Sequence, residues 1–515
     1  MYLTQTLHRA LQQNPDRLLT IDGARERTVA QSVDRIARLA GALRSLGVAD
    51  GDRVGILSLN SDRYHEYLLA VPWAGGVVNP VNIRWSIAEI AYSLVDCDTR
   101  VLLVDDTFAA MIPALRAGVP NLDTVIFCGD GALPDRALGY EQLIDEAQPA
   151  QDARRGGDDL LGIFYTGGTT GRPKGVMLSH TNLLTSALGS LCTGAFATPG
   201  GRLLHAAPMF HIADIASWTA GMLAGSTHVI VGVFSPAGVL EAISTHAVTD
   251  ALLVPTMIQM LVDAPEAAES DLTGMRSVTY GASPISEAVL ERARKTFPAA
   301  GLTQAYGMTE LAPVATLLSA ADHADPALRR AAGRSAPHAE VKIVDAADIE
   351  VPRGTVGEVL VRGDHVMRGY WNNPDETAAA LRGGWMHTGD GGYMDERGYV
   401  FIVDRLKDMI ITGGENVYSA EVENALAKHE SVAAAAVIGI PDPKWGERVH
   451  AVVVLKPGAA VTEDEIRDSC RAHIANYKIP RSVAFVDALP LSGAGKILKR
   501  ELRAQHWENS QRSVG

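Results

Sequence analysis

Cysteine is scarce in this chain: Cys97, Cys128, Cys192 and Cys470 are the four in 515 residues, far apart and with no CxxC pair. That spacing gives no disulfide framework, zinc site or redox couple, and is expected to leave reduced, mostly buried packing residues of a cytosolic protein. Long apolar runs are missing too. The longest, around 68–78 and 432–440, are short and broken by glycine, so no bilayer-spanning helix is expected. Residues 1–9 lack a basic region leading into an apolar core, so no signal peptide is expected. Positive charge is in deficit. A formal net charge of −14 argues against a nucleic-acid-binding surface and for small-molecule partners. Two catalytic signatures are absent as well: no GxSxG elbow for a serine hydrolase, and no GxxxxGK[ST] loop for a P-loop NTPase.

With 47% hydrophobic and 21% charged residues the chain is globular, and it is too long for one ordinary core. Apolar residues recur at helical spacing from 28 to 46, and Gly47 supplies a stop. A strand at 52–57, a helix at 61–74, a strand at 77–78, a helix at 87–94 and a strand at 101–104 follow. This alternation predicts a mostly parallel sheet flanked by helices. Residues 130–159 turn polar and read as an exposed excursion.

Strands at 160–164 and 176–179 bracket Tyr165-Thr166-Gly167-Gly168-Thr169-Thr170-Gly171-Arg172-Pro173-Lys174-Gly175. Glycines let backbone N–H groups converge on phosphate oxygens, and threonine hydroxyls add donors; an isolated cluster of this kind is also compatible with a plain hairpin turn. Further on, His211 sits in Pro208-Met209-Phe210-His211, and Asp214 is read as a cap for the following helix. A second α/β series runs through strands at 227–233, 252–255 and 277–280. Gly281-Ala282-Ser283 would seat a planar group against the backbone, and Gln304-Ala305-Tyr306-Gly307-Met308-Thr309-Glu310 adds an aromatic wall, a hydroxyl and a carboxylate. Taken alone, Glu310 reads as an ordinary helix-start carboxylate; opposite a triphosphate it would suit magnesium, because Mg²⁺ is held by one or two carboxylates plus phosphate oxygens. After Arg334 the composition becomes β-rich, with Thr388-Gly389-Asp390 presenting an acid on a turn. Residues 404–408 form a charge cluster read as a boundary, and a compact final domain follows. Near its end Lys496 sits in a glycine-rich loop.

Taken in order, the Thr/Gly loop, Tyr306-Gly307-Met308-Thr309-Glu310, Thr388-Gly389-Asp390, the 404–423 block and Lys496 make the whole chain resemble the adenylate-forming superfamily. Within it the resemblance is to acyl-CoA ligases of bacterial fatty-acyl and aryl type. It implies an α/β fold: a large domain, 1–404, of two βα-type sheet subdomains plus a small β-rich one, then a small mobile α+β domain, 405–515. The implied cofactors are ATP, Mg²⁺ and coenzyme A, and the implied partner is a small-molecule carboxylate. No nucleic acid or integral membrane segment is expected, a homodimer is an option, and the location is cytoplasmic.

By the same resemblance Thr166, Gly167, Gly168, Thr169, Thr170, Gly171 and Lys174 hold phosphates, while Glu310 and Thr170 hold Mg²⁺. Lys496 bridges carboxylate and α-phosphate. Gly281, Ala282, Ser283, Gln304, Ala305, Tyr306, Gly307 and Thr309 surround the nucleotide, and Asp390 and Arg405 meet the ribose. Lys407 is the hinge, although many relatives carry aspartate there. Gly413 and Gly414 line the pantetheine passage, and Trp445, Tyr477, Lys478 and Arg84 are candidates for the coenzyme A nucleotide. His211, counted with the catalytic residues, lies at the acyl pocket where amino-acid-activating domains keep an aspartate. The expected substrate is thus a fatty acid, with an arylcarboxylate (cinnamate or benzoate type) as the alternative and a non-CoA adenylate-forming enzyme behind both.

Many relatives carry serine or threonine at Gly167. The backbone donors and remaining threonines are expected to compensate, so Gly167→Ser leaves ATP affinity equal or improved in equilibrium titration. A large loss would show that glycine is needed there for backbone geometry.

Overall fold

The computed structural model describes residues 1–166, 172–283, 285–471, 473–491 and 497–507. The chain forms two compact units: residues 1–341 with 361–386, and residues 342–360 with the chain from His387 onward.

Local signals place the first elements. Helix Val29–Ser45 begins at a capping box in which Thr28 accepts from the Gln31 N–H and Gln31 returns a bond to Thr28. It ends where Gly47 adopts φ +90°, as a left-handed stop requires. Helices Ile87–Asp96 and His180–Leu191 open on the same device, at Ser86/Glu89 and Ser179/Asn182.

Among the described residues these elements pack on an eight-stranded sheet. Its order is Gly369–Tyr370, Lys174–Ser179, Leu160–Thr166, Val77–Pro80, Arg53–Leu57, Val101–Val104, Thr124–Phe127 and Leu138–Gly139. The last six strands of that order run parallel, and Leu160–Thr166 and Lys174–Ser179 form an antiparallel hairpin whose last pair is Thr166 with Lys174. The segment expected to be an excursion carries the helix Tyr140–Glu146, with Tyr140 and Ile144 buried. Two turns are too short for an apolar period to stand out.

A nine-stranded sheet holds the second α/β series. Strands Asp250–Leu253, Ser277–Gly281 and Gly301–Gly307 lie side by side and parallel, so their C-terminal ends share one edge. That edge is where open parallel sheets bind ligands. Two strands at the far side, Leu18–Asp22 and Arg25–Thr28, were not apparent from the periodicity.

The second unit carries two smaller sheets. One has the strands Glu340–Val344, Gly357–Arg362, Met386–Met394 and Val400–Arg405. The other is five-stranded and built on the long hairpin Val432–Asp442/Gly446–Leu455. The mixed α/β architecture agrees with the expected fold class. Of the cysteines, Cys97, Cys128 and Cys470 are buried and Cys192 is exposed. No helix among the described residues is long and apolar enough to cross a membrane.

Charged side chains organise the stretch after Val400–Arg405. Asp404 accepts from the backbone N–H and hydroxyl of Ser419 at 2.5 and 2.6 Å, Asp408 pairs with Arg503 at 2.7 Å, and Lys499 pairs with half-buried Glu423 at 2.8 Å. Between these anchors, burial and the neighbouring Arg405 push the Lys407 ammonium down to about 8, against the pull of Asp408 and Asp390. A lysine depressed from 10.5 in the folded state binds fewer protons than in the unfolded chain between those values. Its burden is therefore full below about pH 8 and fades as pH rises toward 10.5. Lys407→Met should exceed the wild type in unfolding free energy at neutral pH. Denaturant titrations across this window should show the gap closing as pH rises.

Candidate active site

The phosphate hairpin and the acidic residue of the second sheet are joined by a tyrosine. Strand Gly369–Tyr370 pairs with the outer hairpin strand, setting Tyr370 opposite Val176. Gly369 has φ +137° and lies against Thr377, whose hydroxyl accepts from the Tyr370 N–H at 2.8 Å. Fixed in this way, the Tyr370 hydroxyl donates to Glu310 Oε1 at 2.9 Å. The Lys174 ammonium lies 5.3 Å from the centre of the same ring and pairs with Glu376 at 2.7 Å. Glu310 is buried in the turn Thr309–Leu311, and its carbonyl accepts from Met367 N–H at 2.9 Å. Burial and the adjacent Glu310 carboxylate push the Tyr370 phenol up, keeping it a donor. At the base of the hairpin the Tyr165 hydroxyl donates to Asp96 at 2.5 Å.

Among the described residues Glu310 has no lysine or arginine within ion-pair distance, and no group of three or more His, Cys, Asp or Glu side chains could hold a metal ion. A single carboxylate, a hard oxygen donor, suits Mg²⁺ that takes its remaining ligands from phosphate and water. Gly167, Gly168, Thr169, Thr170, Gly171 and Lys496 lie outside the described residues.

The shared C-terminal edge of the second sheet is backbone with little side chain. A Cβ on Gly281 would sit 2.2 Å from the Ala305 carbonyl oxygen, and one on Gly307 would sit 1.8 Å from that of Pro313. Both positions therefore require glycine. Ala282 takes the left-handed conformation at φ +67°, bending the chain out of its strand toward Ser283. Leu302 and Thr303 are buried, whereas Gln304, Ala305, Tyr306 and Gly307 are half-buried, so the strand emerges from the core where the site residues begin.

His211 is the N-cap of helix Ile212–Ala224, its Nδ1 accepting from Ala213 N–H at 3.2 Å. The structure thus corrects the reading of Asp214 as the cap. Asp214 is buried and binds Nδ1 of His205 at 2.9 Å; His205 Nε2 lies 2.8 Å from His228 Nδ1, and Trp218 donates to His65 close by. Burial drives His65 down to about 3 and holds His228 well below the usual histidine range, so these two rings are neutral.

In the second unit, Asp390 and Arg405 are cross-strand partners with Nε–Oδ1 at 3.2 Å. Thr388 stiffens their turn, donating to the Val359 carbonyl and accepting from the Asp390 N–H. Gly413, at φ +61°, lies under the Trp445 ring, where a Cβ would approach to 2.6 Å; Gly414 follows at φ +84°. Lys444 and Arg481 each lie 4.8 Å from the Trp445 ring centre. Lys478 gives both its contacts, at 2.7 Å, to Glu421, and lies over the partly exposed Tyr477. Arg84 is exposed on the Asn82 turn.

The structure therefore brings Thr166, Lys174 and Glu310 together through Tyr370, aligns Gly281 with Ala305, and pairs Asp390 with Arg405. Tyr370 and Glu376 were missed by sequence reasoning. Tyr370 is 60 residues from Glu310, and only strand pairing reveals their contact.

Residues 7–371 match the family model of the AMP-binding enzymes, and residues 421–496 match that of the AMP-binding enzyme C-terminal domain. A fatty acid–[acyl-carrier-protein] ligase, ScoC of Streptomyces coeruleorubidus, is 37% identical over 99% of this chain and 98% of its own. A feruloyl-CoA synthase of Amycolatopsis sp is 40% identical over 92% of this chain and 93% of its own. The ATP-bound structure of MatB from Rhodopseudomonas palustris superimposes with a TM-score of 0.88 at 31% identity, covering 99% of this chain and all of that one. With both domains matched in order, the chain belongs to the family of AMP-binding, adenylate-forming enzymes.

Proposed function

We propose that the protein is an AMP-forming acyl-CoA ligase, an acid–thiol ligase that uses ATP, Mg²⁺ and coenzyme A. The observation that carries this reading is the buried Glu310 carboxylate, held by Tyr370 beside the strands of the phosphate hairpin.

In the first step a carboxylate oxygen of the substrate bonds to the α-phosphorus of ATP. The α–β anhydride bond breaks and pyrophosphate leaves. Two anions meet here, so the site must supply positive charge and preorganised donors. Glu310 and Thr170 would hold Mg²⁺, which when bound neutralises phosphate charge. Thr166, Gly167, Gly168, Thr169, Gly171 and Lys174 hold the phosphates, and Lys496 bridges carboxylate and α-phosphate. Gly281, Ala282, Ser283, Gln304, Ala305, Tyr306, Gly307 and Thr309 seat the nucleotide, with Asp390 and Arg405 at the ribose. In the second step the thiol sulfur of coenzyme A bonds to the activated carbonyl carbon, AMP leaves, and the thiol proton passes to solvent. Gly413 and Gly414 leave the passage for pantetheine, and Trp445 with Lys444 and Arg481 offers a cationic aromatic face for the nucleotide of coenzyme A. Lys478 is less suited to a phosphate while Glu421 holds it. The working division is 1–404 and 405–515, with Lys407 as pivot.

The substrate is read as a fatty acid. Small apolar residues around the His211 segment and Ala305, among them Ala197, Ala207 and Ala213, support an alkyl chain. An arylcarboxylate is the second reading, favoured by the feruloyl-CoA synthase relative, and a carrier-protein thiol is the alternative acceptor, favoured by ScoC. The proposed enzyme is cytoplasmic, with a homodimer as an option.

Pyrophosphate release measured over short, medium, long and aromatic acids, with and without coenzyme A, tests the reading; no release with any acid would reject it for that panel. Lys496→Ala should abolish acyl-AMP formation while largely sparing thioester formation from supplied acyl-AMP, and equal loss of both would contradict its role. Tyr370→Phe should lower kcat/KM for ATP about tenfold, the ~1.4 kcal/mol of one hydrogen bond to a buried charge, with the circular dichroism spectrum unchanged.

A further inference from the structure

Behind Gln304 lies a hydrogen-bond chain that the proposed reaction leaves without a role. The buried Tyr280 hydroxyl is 2.7 Å from His323 Nε2 and 3.3 Å from Oε1 of Gln304, its cross-strand partner, whose amide oxygen and nitrogen exchange places by a half-turn about the last side-chain bond. On the other side of the buried ring, His323 Nδ1 is 2.7 Å from the carbonyl oxygen of Ser319. A carbonyl oxygen only accepts, so Nδ1 carries a proton.

In the neutral imidazole, Nε2 is then a bare acceptor and takes the single hydroxyl proton of Tyr280. The Gln304 atom beside that hydroxyl must donate. The amide nitrogen therefore turns toward Tyr280, and the amide oxygen turns away from it. Protonation of His323 reverses both bonds: Nε2–H donates to Tyr280, Tyr280 donates to the amide oxygen, and the amide nitrogen faces away. The chain thus has two states, distinguished by which end of Gln304 is presented at the point where strand Gly301–Gly307 leaves the core.

Resting on the nucleotide reading of this edge, we propose that His323 is a positioning residue which sets, through Tyr280, whether Gln304 offers the nucleobase an acceptor or a donor. The neutral state offers an acceptor. It suits the exocyclic amino group of adenine and opposes the 6-oxo group of hypoxanthine; the protonated state reverses the preference. Burial and Arg294 oppose the imidazolium, while the Ser319 carbonyl and Asp322 favour it, and burial holds the ring below the usual histidine range. Asp322 is itself engaged by the Ser319 N–H and hydroxyl. Burial also pushes the Tyr280 phenol up, so it keeps its proton throughout. The adenine-selective state is the one present at neutral pH.

Calorimetric titration of the full chain with AMP and with IMP, at about pH 8 and at an acid pH where imidazole nitrogen NMR shows His323 protonated, tests this. The ratio of AMP to IMP affinity should fall about tenfold between the two conditions. Tyr280→Phe removes the coupling and should make the ratio the same at both. His323→Phe leaves the Tyr280 hydroxyl with Gln304 as its partner and should hold the ratio at its acid value throughout. Imidazole nitrogen NMR at the higher pH should show the proton of His323 on Nδ1. A wild-type ratio that ignores pH, or a His323→Phe ratio equal to the wild type at about pH 8, would overturn the proposal while leaving nucleotide binding intact. Binding of neither nucleotide would overturn the nucleotide reading and the proposal together.

Discussion

A buried carboxylate without a cation beside it is the constraint on which the site depends. Taking such a charge out of water costs several kcal/mol unless hydrogen bonds replace its hydration. At Glu310 the replacement comes from Tyr370, and Tyr370 stands there because Gly369–Tyr370 pairs with the outer strand of the phosphate hairpin. Lys174 covers the face of the same ring but gives its ion pair to Glu376. The positive charge therefore stays at the hairpin, and among the described residues no lysine or arginine pairs with Glu310. Family membership and this charge arrangement point the same way, to a site completed by a phosphate-bound cation.

Next to that carboxylate the surface is made of backbone. Gly281 and Gly307 are each closed to any larger residue by a backbone carbonyl oxygen, that of Ala305 and of Pro313 respectively. Peptide groups held by strand pairing do not change rotamer, so a planar ligand laid against them meets fixed dipoles and no side-chain entropy is lost. Adaptable side chains begin only at Gln304 and Tyr306, and Gln304 is governed from behind by Tyr280 and His323. Rigidity and choice are thus assigned to different atoms of adjacent residues.

What could be read from the sequence follows the range of the interactions. Helix Val29–Ser45 announced itself because its apolar period and Gly47 stop lie within twenty residues. The phosphate hairpin was legible for the same reason: strand, glycine turn and strand are contiguous. Asp214 was misread because a local cap was the nearest explanation, whereas its partner His205 comes from the preceding strand and His211 caps the helix. Tyr370 and Glu376 escaped altogether, since nothing within ten residues of either marks it as a neighbour of Glu310 or Lys174. Lys478, a candidate for the coenzyme A nucleotide, has a partner the sequence does not reveal, Glu421, 57 residues away. Motif order identified the family, while partners set by sheet register needed the fold.

The charge cluster at 404–408, visible in the sequence only as a dense polar run, gains a mechanical meaning from its partners. Asp404 is tied to the first residue of helix Ser419–Leu426, and Asp408 is tied to the C-terminal helix Lys499–Trp507 through Arg503. Both ties end in the same unit, and between them Arg405 pairs with Asp390 at 3.2 Å. Because both anchors sit on the same body, a rotation centred on the short stretch 405–407 that carried Asp404 away from it would break the Asp404–Ser419 hydrogen bonds. Lys407 lies within it as an ammonium whose burial is unfavourable enough to depress its proton affinity. A change that moved the side chain toward water would relieve that cost, so the electrostatics of the proposed pivot favour motion where the flanking aspartates resist it.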